Sequence, residues 1–247
     1  MTLKALAPLL RKAKPCVPPR RRIYAVGDVH GRADLLAELL GRIDADLKKR
    51  PIEHPIQVFL GDYIDRGPDS RQVIDLLVAR REQHEMLYLK GNHEELASQV
   101  LSDPSVSSEW RYMGGINTLA SYGVKFSGRS GSMSEQEVGI AFRLAFPESH
   151  RHFFASLVPS FTCGDFFFAH AGVRPGISLK RQREHDLLWI RDDFLLCEED
   201  FGKIIVHGHT PTPEPDIRPN RINIDTGAYA TGRLTCLVLE DNHMSFL

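Results

Sequence analysis

The chain has 247 residues, 42% of them hydrophobic, enough apolar material for one large buried core. Its 31 basic and 32 acidic residues cancel to a formal charge of −1, and no nucleic-acid partner is expected. No apolar run reaches the roughly 18 residues of a membrane span and no secretory-type leader is present, so a soluble cytoplasmic protein without a membrane partner is expected.

Lys4, Arg11, Lys12, Lys14, Arg20, Arg21 and Arg22 all precede the first acid, Asp28, which leaves the rest of the chain acidic. With Pro15, Pro18 and Pro19, residues 1–20 read as a mobile basic arm ahead of one folded domain, 21–247. Cys16, Cys163, Cys197 and Cys236 form no Cys-x-x-Cys pair, so reduced, mostly buried thiols are expected.

The first short apolar run, 23–26, leads into Gly27-Asp28-Val29-His30-Gly31. It reads as a buried strand. Leu35, Leu36, Leu39, Leu40 and Ile43 then recur at helical spacing and predict a helix over 33–47 that covers a sheet face. A second run, 56–60, enters Gly61-Asp62-Tyr63-Ile64-Asp65-Arg66-Gly67. Asp69 and Ser70 offer caps for the next helix, with Val73, Ile74, Leu76 and Leu77 on its apolar side. A third run, 86–89, ends at Gly91-Asn92-His93-Glu94 and is followed by a helix over 94–101. Repeated strand, polar loop and helix predict a parallel or mixed sheet with helices outside.

Between 102 and 147 no strand is predicted. Trp110, Tyr112 and Met113 lead into Gly114-Gly115, residues 127–132 are rich in serine and glycine, and Ser134 with Glu137 forms a capping box for a helix toward Phe146. We expect this stretch to be a cap that shapes access to the site. Strands return at 161–168, an aromatic core segment whose end carries His170-Ala171-Gly172, and at 204–206, which ends in His207-Gly208-His209-Thr210. Two more strands, 221–224 and 234–239, enclose Asp225-Thr226-Gly227-Ala228, so two packed sheets are expected.

Functional groups gather beyond the carboxyl ends of strands in open α/β sheets. Asp28, His30, Asp62, Asn92, His170 and His209 would meet there, a set of oxygen and nitrogen donors without thiolate that suits Mn²⁺, Fe or Zn²⁺. Two cations need a shared carboxylate, and Asp62 is central. Asp28 and His30 complete one ion, while Asn92, His170 and His209 complete the other; water activated between the ions is the expected nucleophile. Arg66 and Arg191 are the expected partners of a phosphoryl group, and His93, oriented by Asp65, can protonate a leaving group. His207 is expected beneath the ligands or buried, and Asp225 either orients a ligand or forms a turn. His54, His84, His150, His152, His185 and His243 read as surface or core residues.

These blocks resemble the phosphoprotein phosphatase family of calcineurin-like metallophosphoesterases, and in particular its small bacterial-type serine/threonine phosphatases. The resemblance runs over about 22–238 and implies an α/β/β/α sandwich of two mixed sheets flanked by helices. It further implies two divalent metal ions, often manganese, direct hydrolysis without a phosphoenzyme, the ligand set above, His93 and Asp65 as the acid pair, and Arg66 and Arg191 on phosphate. His170-Ala171-Gly172 departs from the two glycines of many eukaryotic members, which bears on regulation and protein substrates. A phosphorylated protein or a small phosphoester is the expected substrate, with serine/threonine phosphatase activity leading. Gly67-Pro68-Asp69-Ser70 is also similar to dinucleoside polyphosphate hydrolases, the alternative reading. Asp65 stands where the symmetrical diadenosine tetraphosphate hydrolases carry alanine, which tilts the expectation toward monoesters. A non-catalytic binding protein on the same scaffold would need a lost ligand, and none is lost. The oligomeric state is left open.

Overall fold

The computed structural model describes residues 14–125 and 134–247. Two five-stranded mixed sheets pack face to face. The first runs β10-β9-β1-β2-β3, where β1 is Arg21–Val26, β2 His54–Phe59, β3 Met86–Tyr88, β9 Cys236–Glu240 and β10 His243–Phe246. Within it β1, β2 and β3 are parallel, and β9 and β10 are antiparallel additions. The second runs β4-β5-β6-β8-β7, with β4 Ser160–Cys163, β5 Phe166–Ala169, β6 Ile204–His207, β7 Asp216–Ile217 and β8 Arg221–Asn223. Its central strands β5, β6 and β8 are parallel.

Alternation along each strand decides the layers. Ile23, Ala25, Ile56 and Val58 from the first sheet meet Phe166, Phe168, Val206 and Ile222 from the second in the inter-sheet core. The intervening Tyr24, Val26 and Phe59 face outward, against helix α1 (Ala33–Lys49), α2 (Ser70–Arg80) and α3 (Asn92–Ser102). On the other side Phe167, Ala169 and Ile205 are covered by Leu187, Ile190 and Phe194. The layers are therefore α/β/β/α, as expected from the sequence.

Differences from the expected elements are local. The aromatic run 161–168 is a hairpin rather than one strand, because Gly164 takes φ 55 and turns β4 antiparallel to β5. Of the arm residues, Lys4, Arg11 and Lys12 lie outside the described part. The described end is docked: Val17 is buried, its N–H donates to the Asp241 carbonyl at 2.9 Å, and the Cys16 N–H donates to Asp165 Oδ2 at 2.9 Å. Arg22 belongs to the core, buried in β1 with its guanidinium on Glu240, Tyr24 and the Arg50 carbonyl. All four cysteines are free; Cys163 and Cys236 are buried and Cys16 is exposed. Among the described residues no helix is long and apolar enough to cross a membrane.

The stretch expected to be a cap contains α4 (Ser107–Trp110), a wide turn at Arg111–Gly115, α5 (Ile116–Ser121) and α6 (Glu135–Ala145). Ser134 caps α6 with Glu137 reciprocally, as its spacing predicts, whereas the serine- and glycine-rich 127–132 lies outside the described residues. Asp69 and Ser70 do not cap α2 with their side chains; the Ser70 hydroxyl accepts the Asp65 N–H instead, at 3.0 Å.

Candidate active site

Both sets of parallel strands point their carboxyl ends at one place. Asp28 and His30 follow β1, Asp62 follows β2, Asn92 opens α3 after β3, His170 follows β5 and His209 follows β6. All six are buried and converge. His30 Nε2 lies 3.3 Å from Asp62 Oδ2, and His170 Nε2 lies 3.4 Å from Asp62 Oδ1. Asn92 Oδ1 is 3.0 Å from His170 Nε2 and 2.9 Å from His209 Nδ1. Asp28 accepts the His209 backbone N–H at Oδ2, 3.0 Å away, which joins the two sheets across the site.

The backbone bends sharply to achieve this. His30, Asp62, Asp65, Arg66 and His209 all adopt positive φ, between 44° and 72°. Non-glycine residues in that region cost of order 1–3 kcal/mol each and persist only where the surroundings over-determine them. Glu94 is one such constraint: its side-chain oxygens accept from the N–H groups of Asp62 (2.9 Å), Tyr63 (2.8 Å), Ile64 (3.3 Å) and Gly91 (3.0 Å). Burial and the nearby Asp62 push this carboxyl up to about 8, against the pull of His93 and those donors. Gly91 supplies another constraint, since a Cβ there would overlap Asp62 Oδ1 and the Asp62 nitrogen.

A divalent cation pair fits this donor set. Donor atoms of His30, Asp62 and His93 lie within 4.8 Å of one another, as do those of Asp62, His170 and His209, so Asp62 is common to both groups. Asp28 Oδ1 and His30 Nε2 are buried without a hydrogen-bond partner, and both are atoms that a metal would satisfy; His209 turns its other nitrogen, Nδ1, to Asn92 and His170. The imidazoles are oriented from behind: Nδ1 of His30 and of His170 bind the carbonyls of Ile64 (2.8 Å) and Leu60 (2.9 Å), leaving each Nε2 on the ligand cluster. Burial, with Asp225 and Asp62 nearby, pushes the Asp28 carboxyl well up; burial acts the same way on Asp62, but His170, His93 and His30 hold it well below the usual range. Burial and His170 push His209 down to about 2, so its ring is neutral and able to ligate.

Beside the ligands, His93 Nδ1 lies 2.6 Å from Asp65 Oδ2, and its Nε2 lies 3.2 Å from Arg66 Nη2 and 3.8 Å from Asp62 Oδ2. Burial opposes the His93 imidazolium, but Asp62 and Asp65 outweigh it and the pKa is raised. Arg66 stacks its guanidinium on Tyr229, 4.9 Å from the ring centroid. Arg191 is not in this inner group: it is exposed at the rim and reaches Thr210 Oγ1 at 3.4 Å, beside His209. His207 is buried with its ring against Phe194, facing away from the ligands. Asp225 lies next to Asp28 and also accepts the Gly227 N–H at 2.9 Å, so it both borders the cluster and forms the turn.

The residue profile described as calcineurin-like phosphoesterase matches 21–243. The chain belongs to the calcineurin-like phosphoesterase family. It is accordingly a metallophosphoesterase, a hydrolase of phosphoesters that works with divalent metal ions. It is 28% identical to the bis(5'-nucleosyl)-tetraphosphatase PrpE (asymmetrical) of Anoxybacillus flavithermus, over 86% of this chain and 88% of that protein. Two solved structures share the fold. One is of a protein provisionally described as a diadenosine tetraphosphatase (18% identity, TM-score 0.60, 95% of this chain and 97% of that one). The other is a mutant of a cold-active protein tyrosine phosphatase (15% identity, TM-score 0.62, 94% of this chain and 80% of that one).

Glu94, Trp110, Thr118 and Tyr229 border this calcineurin-like site without having been assigned a part in it from the sequence. Glu94 sits inside the third motif, where a carboxylate after a ligand and a histidine was a readable signal. Tyr229 carried none, as its contacts with Arg66 and His30 come from a segment more than 160 residues away.

Proposed function

We propose that this phosphoesterase hydrolyses dinucleoside polyphosphates, with two manganese ions held by Asp28, His30, Asp62, Asn92, His170 and His209. The observation that carries the reading is similarity along 86% of this chain to a bacterial protein named as a bis(5'-nucleosyl)-tetraphosphatase. It reverses the order expected from Asp65, which had placed phosphomonoesters first. When bound, such an ion pair supplies Lewis-acid charge and lowers the pKa of water to near neutral.

The chain's own residues do the rest. Arg66, held by Tyr229, presents its fork to phosphoryl oxygens that gain negative charge in the transition state, and Arg191 at the rim meets more distant phosphates. Oxygen from a water that has given up one proton to bulk solvent forms the new bond to phosphorus as the bond to the leaving oxygen breaks. The departing electron pair stays on that oxygen, which takes a proton from His93 Nε2, while Asp65 keeps the Nδ1 proton in place.

A second reading, hydrolysis of phosphoserine or phosphothreonine, is favoured by that same 2.6 Å pair, because an alkoxide needs an acid more than a phosphate does. Manganese-loaded protein assayed on diadenosine tetraphosphate and on a phosphopeptide panel separates the two. The nucleotide should have a kcat/KM higher by about tenfold or more, roughly 1.4 kcal/mol of preferential transition-state binding. Faster turnover of a phosphopeptide would overturn the nucleotide reading and install the second.

A further inference from the structure

Asp65 is gripped from an unexpected direction. Its Oδ2 accepts from two N–H groups at once, His93 Nδ1 at 2.6 Å and Trp110 Nε1 at 2.8 Å. Its Oδ1 accepts from Thr118 Oγ1 at 2.5 Å, and its backbone N–H donates to the same hydroxyl at 2.9 Å. Asp65, Trp110 and Thr118 are each fully buried. The grip extends to the next residue: the Arg66 N–H donates to the Gly114 carbonyl at 3.3 Å, and Asn117 Nδ2 donates to the Arg66 carbonyl.

Trp110, Gly114, Asn117 and Thr118 all belong to the helical stretch expected to be a cap. Trp110 is itself locked, with its indole against Phe142 of α6 at 4.8 Å and a glycine, Gly115, where any Cβ would strike its ring. A merely structural tryptophan also needs a partner for its buried N–H. Here that partner is the very oxygen that holds His93. Three donors on one carboxylate leave it no freedom to turn, and the segment 110–118 is a wall behind the acid pair.

We propose that Trp110 and Thr118 are positioning residues, which hold the Asp65 carboxylate in the orientation that aims His93 at the leaving oxygen. The inference rests on His93 serving as the proton donor, and the experiment tests both levels. Full-length manganese-loaded variants are compared on phenyl phosphate, whose leaving group needs protonation, and on 4-nitrophenyl phosphate, whose leaving group needs it much less. His93→Asn should reduce the phenyl-to-nitrophenyl ratio of kcat by on the order of 100-fold. Trp110→Phe and Thr118→Val should reduce the same ratio by on the order of tenfold with KM little changed, and Thr118→Ser should restore it.

A second readout needs neither metal nor turnover. In the proton NMR spectrum of the metal-free chain, the imidazole N–H resonance that disappears in His93→Asn should shift in Trp110→Phe. If His93→Asn slows both esters equally, the acid assignment fails and this inference with it. If His93→Asn discriminates between the esters but Trp110→Phe and Thr118→Val do not, only the positioning inference is overturned. Should Trp110→Phe not fold, the Thr118→Val and Thr118→Ser pair decides alone, and equal ratios in the two would overturn it.

Discussion

Replacing Asp65 by asparagine keeps the shape of the side chain and removes its charge, and the structure says which way the amide must turn. With its NH₂ at the Oδ2 position it would face two buried donors, His93 Nδ1 at 2.6 Å and Trp110 Nε1 at 2.8 Å. Leaving each without an acceptor costs about 1–3 kcal/mol. With the NH₂ at the Oδ1 position it meets Thr118 Oγ1, a hydroxyl with a second outlet 2.9 Å away at Ser70 Oγ. That hydroxyl can rotate to accept from the amide and donate to Ser70, so the second orientation wins by about 2–6 kcal/mol. Asp65→Asn should therefore fold with the His93 contact intact but neutral. Two charge-assisted hydrogen bonds become ordinary ones, at about 1 kcal/mol each, so urea denaturation should show a loss of about 2 kcal/mol. The same lost charge no longer steadies the imidazolium, and kcat on phenyl phosphate should fall by about 10²–10³ while the fall on 4-nitrophenyl phosphate stays within about tenfold. Equal losses on the two esters, or an unchanged kcat on phenyl phosphate, would refute the assignment of Asp65 and His93 as an acid pair.

Asp62→Asn removes the carboxylate common to both donor groups and should weaken manganese binding in calorimetric titration by about 100-fold or more, with loss of all phosphoester hydrolysis. Full activity in that variant would exclude the shared-ligand assignment. Gly91→Ala drives a Cβ into Asp62 Oδ1 and the Asp62 nitrogen, and it should lower stability by about 1–3 kcal/mol and manganese affinity together. An alanine variant that unfolds and titrates like the parent would show that the Asp62 loop can yield. His150 is buried between Tyr122 Oη (2.7 Å) and Asp75 Oδ1 (2.8 Å), and burial holds its pKa below 6.5 despite Asp75. Below its ordinary pKa the unfolded chain takes up a proton that the folded ring refuses, so this stability is full above about pH 6.5 and is lost as pH falls through the folded value. The urea midpoint of the parent relative to His150→Gln should accordingly shrink from about pH 7.5 to about pH 5.5, and a difference independent of pH would contradict the reasoning.

Much of the site was legible because its signals are local. A short β-branched or aromatic run followed by glycine and a ligand residue states both the strand and the side of the sheet on which the ligand emerges, since parallel strands release their loops at one edge. The positions of Asp28, His30, Asp62, Asn92, His170 and His209 could therefore be expected before any coordinates, and so could the pairing of His93 with Asp65. Other features depend on partners with no fixed spacing. Arg22 was only one of the basic residues that precede Asp28, at the start of the folded domain; it lies in the core because Glu240, 218 residues away, sits opposite it on β9. Ser70 read as a helix cap because Val73, Ile74 and Leu77 lie just beyond it at helical spacing, but the Asp65 loop claims its hydroxyl.

What the sequence determined by itself was the set of residues that meet at the strand ends, the order of strands that carry them and the α/β/β/α layering, each encoded in periods of two or 3.6 residues and in glycine-bounded turns. Only the tertiary structure decided how the pair of Asp65 and His93 is held. Trp110 and Thr118 lie 45 and 53 residues beyond Asp65, in a stretch that read from the sequence as a cap shaping access to the site. Packing of α4 and α5 against the loop that carries Asp65 brings a buried indole N–H and a buried hydroxyl onto its carboxylate, because both must find acceptors.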